Sequence, residues 1–86
     1  MRIDLTKVAR KQLKGFGKAI QIILVKRIND LGKSGINERK LGGFKRTFRS
    51  RVGDFRIVYK KTANEIVVIQ IGHRREVYRL LQGLLG

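Results

Sequence analysis

Cysteine and proline are absent from the 86 residues, and histidine occurs once. Without cysteine the chain forms neither disulfides nor thiolate metal sites, and a single histidine excludes a histidine-rich metal centre. Without proline, no X-Pro isomerisation can slow folding. Acidic residues are scarce: six, against 21 lysines and arginines, for a formal charge of +15. Long apolar runs are missing as well. The strongest, residues 19–25, is too short to span a bilayer. The first ten residues are mixed and charged, with no apolar stretch of the kind a secretory signal carries. The expectation is a cytoplasmic protein with no membrane partner and no metal or cofactor.

What is present is charge on a small scale. A chain of this length makes one domain, 1–86, burying roughly 60–65% of its unfolded surface. A folded domain so small suffers self-repulsion at +15, and a polyanionic partner is the usual reason to tolerate it. Nucleic acid comes first, because counterion release turns positive charge into affinity.

Along the chain, Ile3 to Leu5 suggest a short strand and Thr6 an N-cap for a helix ending near residue 14. Leu5, Ala9 and Leu13 share a face with Val8 and Phe16 beside them, while Lys7, Arg10, Lys11 and Lys14 cover another. Gly15 and Gly17 predict a tight turn into a second helix over 18–31. Its stripe is Ile20, Leu24, Ile28 and Leu31, widened by Ile23. Residues 32–43, with four glycines, read as a loop. The period then becomes two: Phe44, Phe48 and Val52 on one side, Lys45, Arg49 and Arg51 on the other. Arg46 breaks the alternation and predicts a bulge or edge. Gly53-Asp54 predicts a turn between strands. The run 55–60 is β-branched and aromatic, Asn64 marks another turn, and 65–71 is apolar on both faces, as a covered strand with two neighbours should be. Gly72 should end it, and a final helix should occupy 74–85. The order β-α-α-β-β-β-α gives an α+β domain, a helix hairpin on a mostly antiparallel four-stranded sheet.

Nine basic residues fall between Arg39 and Lys61: Arg39, Lys40, Lys45, Arg46, Arg49, Arg51, Arg56, Lys60 and Lys61, with Asp54 the single acid. A plain solvated basic face is one reading. A shaped patch is the other, since arginine's planar fork matches phosphate oxygens and strand alternation puts Lys45, Arg49 and Arg51 on one side.

Two segments then resemble a known family. Phe48-Arg-Ser-Arg-Val-Gly-Asp-Phe-Arg-Ile-Val-Tyr59 is similar to the strand–turn–strand signature of the RelE toxins of toxin–antitoxin pairs. Ile71-Gly-His-Arg-Arg-Glu-Val-Tyr78 is similar to their last strand end and terminal helix. Leu41-Gly-Gly and the helix hairpin fit as well, so the resemblance to the RelE/ParE superfamily covers the whole chain. It implies the RelE-like microbial RNase fold and a metal-independent RNase that cuts messenger RNA in the ribosomal A site, the 2′-hydroxyl attacking the adjacent phosphate. It also implies a cognate acidic, RelB-like antitoxin, with operator DNA met only through the toxin–antitoxin complex.

Such chemistry needs a base, cations for the phosphorane and an acid for the leaving oxygen. By the resemblance, Arg56 and Arg74 hold the scissile phosphate, and Tyr78 stacks on or orients the nucleotide. Arg49 and Arg51 stand where well-studied members carry lysines, one of them the proposed base; a guanidinium is a poor base at neutral pH. His73 is the alternative, since imidazole suits proton transfer, against a role capping the strand end. Asp54 and Glu76 are further candidates, against turn-forming and helix-terminus roles. Lys40, Lys45, Arg46 and Arg75 are expected to touch RNA. The terminal helix carries Val77, Leu80, Leu81, Leu84 and Leu85 as an apolar stripe on which the antitoxin is expected to act. The rival functions are a ParE-like inhibitor of DNA gyrase and a nucleic-acid-binding module without catalysis.

Overall fold

The structure, a computed structural model, describes residues 1–73. The expected helix over 74–85, with Arg74, Arg75, Glu76 and Tyr78, lies outside the described residues. Within them run β1 (Arg2–Leu5), α1 (Lys7–Lys14), α2 (Lys18–Asp30), β2 (Glu38–Lys40), β3 (Thr47–Val52), β4 (Phe55–Lys61) and β5 (Glu65–His73). The strands form one mixed sheet in the order β1-β5-β4-β3-β2, antiparallel except where β1 runs parallel to β5. Among the described residues no helix is long and apolar enough to cross a membrane.

Local chemistry sets the boundaries. Thr6 caps α1, its Oγ1 accepting the Ala9 N–H at 3.1 Å, while its own N–H donates to the β5 carbonyl of Val68 at 2.9 Å. Helix start and sheet are thereby joined at one residue. Gly15 ends α1 and Gly17 begins α2. Gln21 reaches back to close the turn, its Nε2 donating to the Phe16 carbonyl at 2.8 Å. After α2, Gly32 takes a φ of +89°, and a Cβ there would come within 3.0 Å of Ile66 Cδ1, so the chain leaves the core at the residue with the least side chain.

The core lies between the hairpin and one sheet face: Ala9, Leu24, Ile28 and Leu31 against Ile57, Tyr59, Ile66, Val68 and Ile71. The α2 stripe is as expected, except that Ile23 is half exposed. One residue is 100° of helix rotation, so Ile23 cannot follow Leu24 onto the sheet. Val8 likewise faces outward beside the buried Ala9. A β-bulge interrupts the β4–β5 register, Val58 pairing with Gln70 but Tyr59 with Val68. Beside it, Gln12 of α1 takes up the polar groups. Its Oε1 accepts the Ile71 N–H at 2.7 Å, and its Nε2 donates to the buried Gln70 Oε1, also at 2.7 Å. Unsatisfied, these groups would cost folding free energy.

Four expectations need correction. Gly72 does not end β5, which runs on to His73 with Gly72 still paired to Arg56, and Phe44 does not share the side of Phe48 and Val52: it precedes β3 and packs on Val58, apart from the core those two join. The sheet has five strands, because β2 arises inside the expected loop 32–43. With three residues, all charged, it has no apolar alternation to read; short, charged strands are typical of sheet edges. Lys45 is not on a strand: β3 starts at Thr47, and the turn before it contains Arg46 at a φ of +55°, the break expected there.

The edge strand is held by a carboxylate. Glu38 accepts hydrogen bonds from the Tyr59 hydroxyl and from Lys61 Nζ, the latter at 2.8 Å. Burial pushes the Glu38 carboxyl up, but the bonds from Lys61 and Tyr59 outweigh it and hold the group below its ordinary 4.5. Burial, and then the Glu38 partner, raise the Tyr59 phenol far above its ordinary value. A carboxylate depressed in the folded state stabilises fully above its unfolded pKa and loses that contribution as pH falls through the folded one. Glu38→Gln should therefore destabilise the protein at pH 7 by about 1.5–3 kcal/mol, the range for a charged hydrogen bond. The gap from wild type should close below pH 4.5. Urea unfolding at pH 7 and in acid checks this; a gap independent of pH would count against it.

Candidate nucleic-acid interface

Alternation on a strand sends successive side chains to opposite faces. On β3, Phe48, Ser50 and Val52 take the helix side. Phe48 and Val52 pack on the core, and Ser50 Oγ accepts from α2's Arg27 at 2.9 Å. Arg49 and Arg51 therefore take the far face. On β4, Phe55, Ile57 and Tyr59 point to the helices, and Arg56 and Val58 away. Leu41 and Phe44 fold over Val58 with Ile69, forming a small second core on that far face.

Register then brings the arginines together. Arg39 is the cross-strand partner of Arg49, and Arg51 of Arg56. With Asn37 these four line a recess of about 210 Å³. Like charges directly opposite in a sheet repel. On its other flank Arg56 faces Gly72, which has no side chain to offer. Arg56 Nε and Nη1 are shielded from solvent and have no hydrogen-bond partner among the described residues. Buried cationic donors without acceptors are costly, and a bound anion would relieve both the repulsion and the missing bonds. A phosphate, with acceptor oxygens for several forks at once, has the matching chemistry.

The expected site residues thus divide. Arg49, Arg51 and Arg56 share the recess. Lys40 and Arg46 instead line a separate cleft of about 420 Å³ with Phe48, Lys61, Thr62 and Ala63. Lys61 Nζ sits there 4.7 Å from the Phe48 ring centroid. Lys45 lies on the exposed turn between β2 and β3. His73 pairs with Phe55, ring centroids 6.2 Å apart and edge-on. Since Phe55 packs on Phe16 and the helix-side core, His73 is not brought together with Arg56, whose side chain leaves the opposite face. Asp54 occupies the β3–β4 turn beside Gly53, whose φ is +59°. Arg74, Arg75, Glu76 and Tyr78 lie outside the described residues. Arg39 and Asn37 belong to the recess although sequence reasoning did not place them there. Their signal was register on a strand too short to be read.

No curated protein sequence matches the chain. Among solved structures, a mutant of the E. coli toxin RelE in its free state superposes with a TM-score of 0.78 at 22% identity, covering 99% of this chain and 97% of that one. The toxin–antitoxin complex RelBE2 from Mycobacterium tuberculosis gives 0.73 at 23% identity, over 85% and 96% of the two chains. An archaeal RelE–RelB complex from Pyrococcus horikoshii gives 0.70 at 22%, over 85% and 93%. These likenesses establish the fold. The family model describing the ParE toxin of type II toxin–antitoxin systems, parDE, matches residues 3–78, and the chain accordingly belongs to that toxin family, within the RelE/ParE superfamily.

Proposed function

We propose that this toxin is a ribosome-dependent endoribonuclease that cleaves messenger RNA in the A site and so stops translation. The observation supporting this most directly is the arginine recess, with two shielded Arg56 nitrogens and no partner for them among the described residues. In this reading Arg56 and Arg74 bind the scissile phosphate and stabilise the charge that grows on it as the 2′-oxygen attacks. Preorganised donors of that kind supply much of an enzyme's rate enhancement. Arg49 and Arg51 add cationic field, and Tyr78 orients the nucleotide. Lys40, Lys45, Arg46 and Arg75 hold the flanking RNA. Among the described residues lining the recess none is a carboxylate or imidazole, so transition-state charge stabilisation carries more of the work than proton transfer does. His73, on the face of Phe55, serves to hold the end of β5.

The partner that keeps such a toxin silent is an acidic, RelB-like antitoxin that orders as it wraps the basic surface. The similar structures from M. tuberculosis, P. horikoshii and E. coli are of RelBE2, RelE–RelB and RelBE complexes, those from M. tuberculosis and E. coli being toxin–antitoxin complexes. Operator DNA is met through that complex. A second reading, blockade of DNA gyrase without RNase activity, is favoured by the family model being that of ParE toxins.

In a reconstituted translation system the toxin should cut mRNA on the ribosome and leave free mRNA nearly intact. Gyrase-linked DNA breaks with mRNA uncut would establish the second reading instead. Arg56→Ala should slow single-turnover cleavage by about 10²-fold or more without lowering thermal stability, because it removes two shielded donors without partners among the described residues and relieves the repulsion from Arg51. Activity lost only in proportion to folded protein would remove Arg56 from the catalytic set. His73→Gln should leave the pH–rate profile as it is; disappearance of a neutral-pH titration would assign the proton to His73.

A further inference from the structure

The recess is ordered along the strand. Arg49 and Arg51 are two residues apart on β3, so their side chains leave one face about 6.6 Å apart. Each belongs to a row across the sheet. One row runs Arg51–Arg56, and the register of β2 against β3, continued by one residue beyond Glu38–Ser50, adds Asn37 beside Arg51. The other row runs Arg39–Arg49–Val58, and Val58 is buried beneath Leu41 and Phe44. The cations therefore form two guanidinium pairs in series, one ending on Arg56 and one on the edge strand.

A single phosphate would satisfy one pair and leave the other repelling. A single-stranded polynucleotide presents a phosphate at every nucleotide, a spacing comparable to one two-residue step of a β-strand. We propose that the recess takes two successive phosphates of single-stranded RNA laid along β3, the first on Arg51 and Arg56 and the second on Arg39 and Arg49. Edge strand β2 is then part of the binding site, with Arg39 a phosphate-binding residue and the Asn37 amide beside the first phosphate. The inference rests on the RNA reading above and adds to it the length and direction of the strand bound. It also gives the Glu38 anchor a purpose beyond stability: tying Glu38 to Tyr59 and Lys61 keeps the neighbouring Arg39 opposite Arg49.

The test uses the full chain and 2′-O-methyl oligoribonucleotides, which lack the attacking hydroxyl, with one, two or three phosphates, and no ribosome. Fluorescence anisotropy should show affinity rising at least tenfold from one phosphate to two, and less from two to three. Arg39→Gln should remove the first rise while leaving one-phosphate binding within about twofold. It should also reduce the salt-dependence slope for the two-phosphate oligomer by about 0.7, one single-strand contact. Arg56→Gln should already weaken the one-phosphate oligomer. Lys60→Gln, which removes one charge from β4 outside the recess, should keep the step, and Arg39→Lys, which keeps the charge, should recover most of it. Equal effects of Arg39→Gln and Lys60→Gln, or no step in the wild type, would overturn the proposal. An Arg39-dependent step in a protein that cuts no translated mRNA would support the two-phosphate site and sink the RNase reading alone. Cleavage without that step would do the reverse.

Discussion

Repulsion among cations is the constraint around which this fold is arranged. With 21 basic side chains on 86 residues, the chain cannot scatter charge at random and still bury a core. Strand alternation resolves the conflict by sorting. On β3 and β4 one face is given to Phe48, Val52, Phe55, Ile57 and Tyr59 under the helix hairpin, and the other to Arg49, Arg51 and Arg56. Sorting has a consequence, because confining arginines to one face brings them into register. The repulsion that threatens the domain as a whole is collected in one place, where an anion can relieve it.

The few carboxylates are placed accordingly. Asp4, Asp30 and Glu65 make exposed pairs with Arg10, Lys33 and Arg2, and such pairs contribute little. Glu38 differs. Its pair with Lys61 is the most sheltered of the four, and it also accepts from the buried Tyr59. A three-residue edge strand has almost no apolar surface of its own to bury, and this charge-assisted contact substitutes for it. Among the described residues lining the recess none is a carboxylate; Arg51 Nε donates to the Gly53 carbonyl at 3.2 Å, and Arg56 Nε and Nη1 have no partner among the described residues.

Legibility in the sequence followed apolar pattern. The α2 stripe of Leu24, Ile28 and Leu31 repeats at helical spacing, and β5, apolar on both faces, could be read as an interior strand; both stand in the structure. Residues without such a pattern were misplaced. β2 is Glu-Arg-Lys, Ile23 is apolar yet one helix step off the stripe, and Lys45 fits the alternation but precedes the strand. Pairings between distant segments were least legible. Nothing local to Arg39 says that it faces Arg49, and nothing local to His73 says that Phe55 will share its face. Arg49 and Arg51 were read from strand alternation and Arg56 from the family resemblance, and the tight turn that joins their strands brings Arg51 and Arg56 into register.

A cluster of like charges held in register is destabilising when empty, and its cost falls as anions enter. Ligand binding and folding stability are therefore linked here, since anything that binds the folded recess and not the unfolded chain stabilises the domain by mass action. The linkage does not depend on the anion being RNA. A carboxylate-rich protein segment relieves the same repulsion with the same forks, although it lacks the regular phosphate spacing that two arginine rows in series can exploit. Any two anionic ligands that draw on one electrostatic source must compete for it, even where their apolar contacts lie on different surfaces. A domain of this charge is thus most stable with an anion bound, and its arginine face is exposed only in the form that tolerates the repulsion without relief.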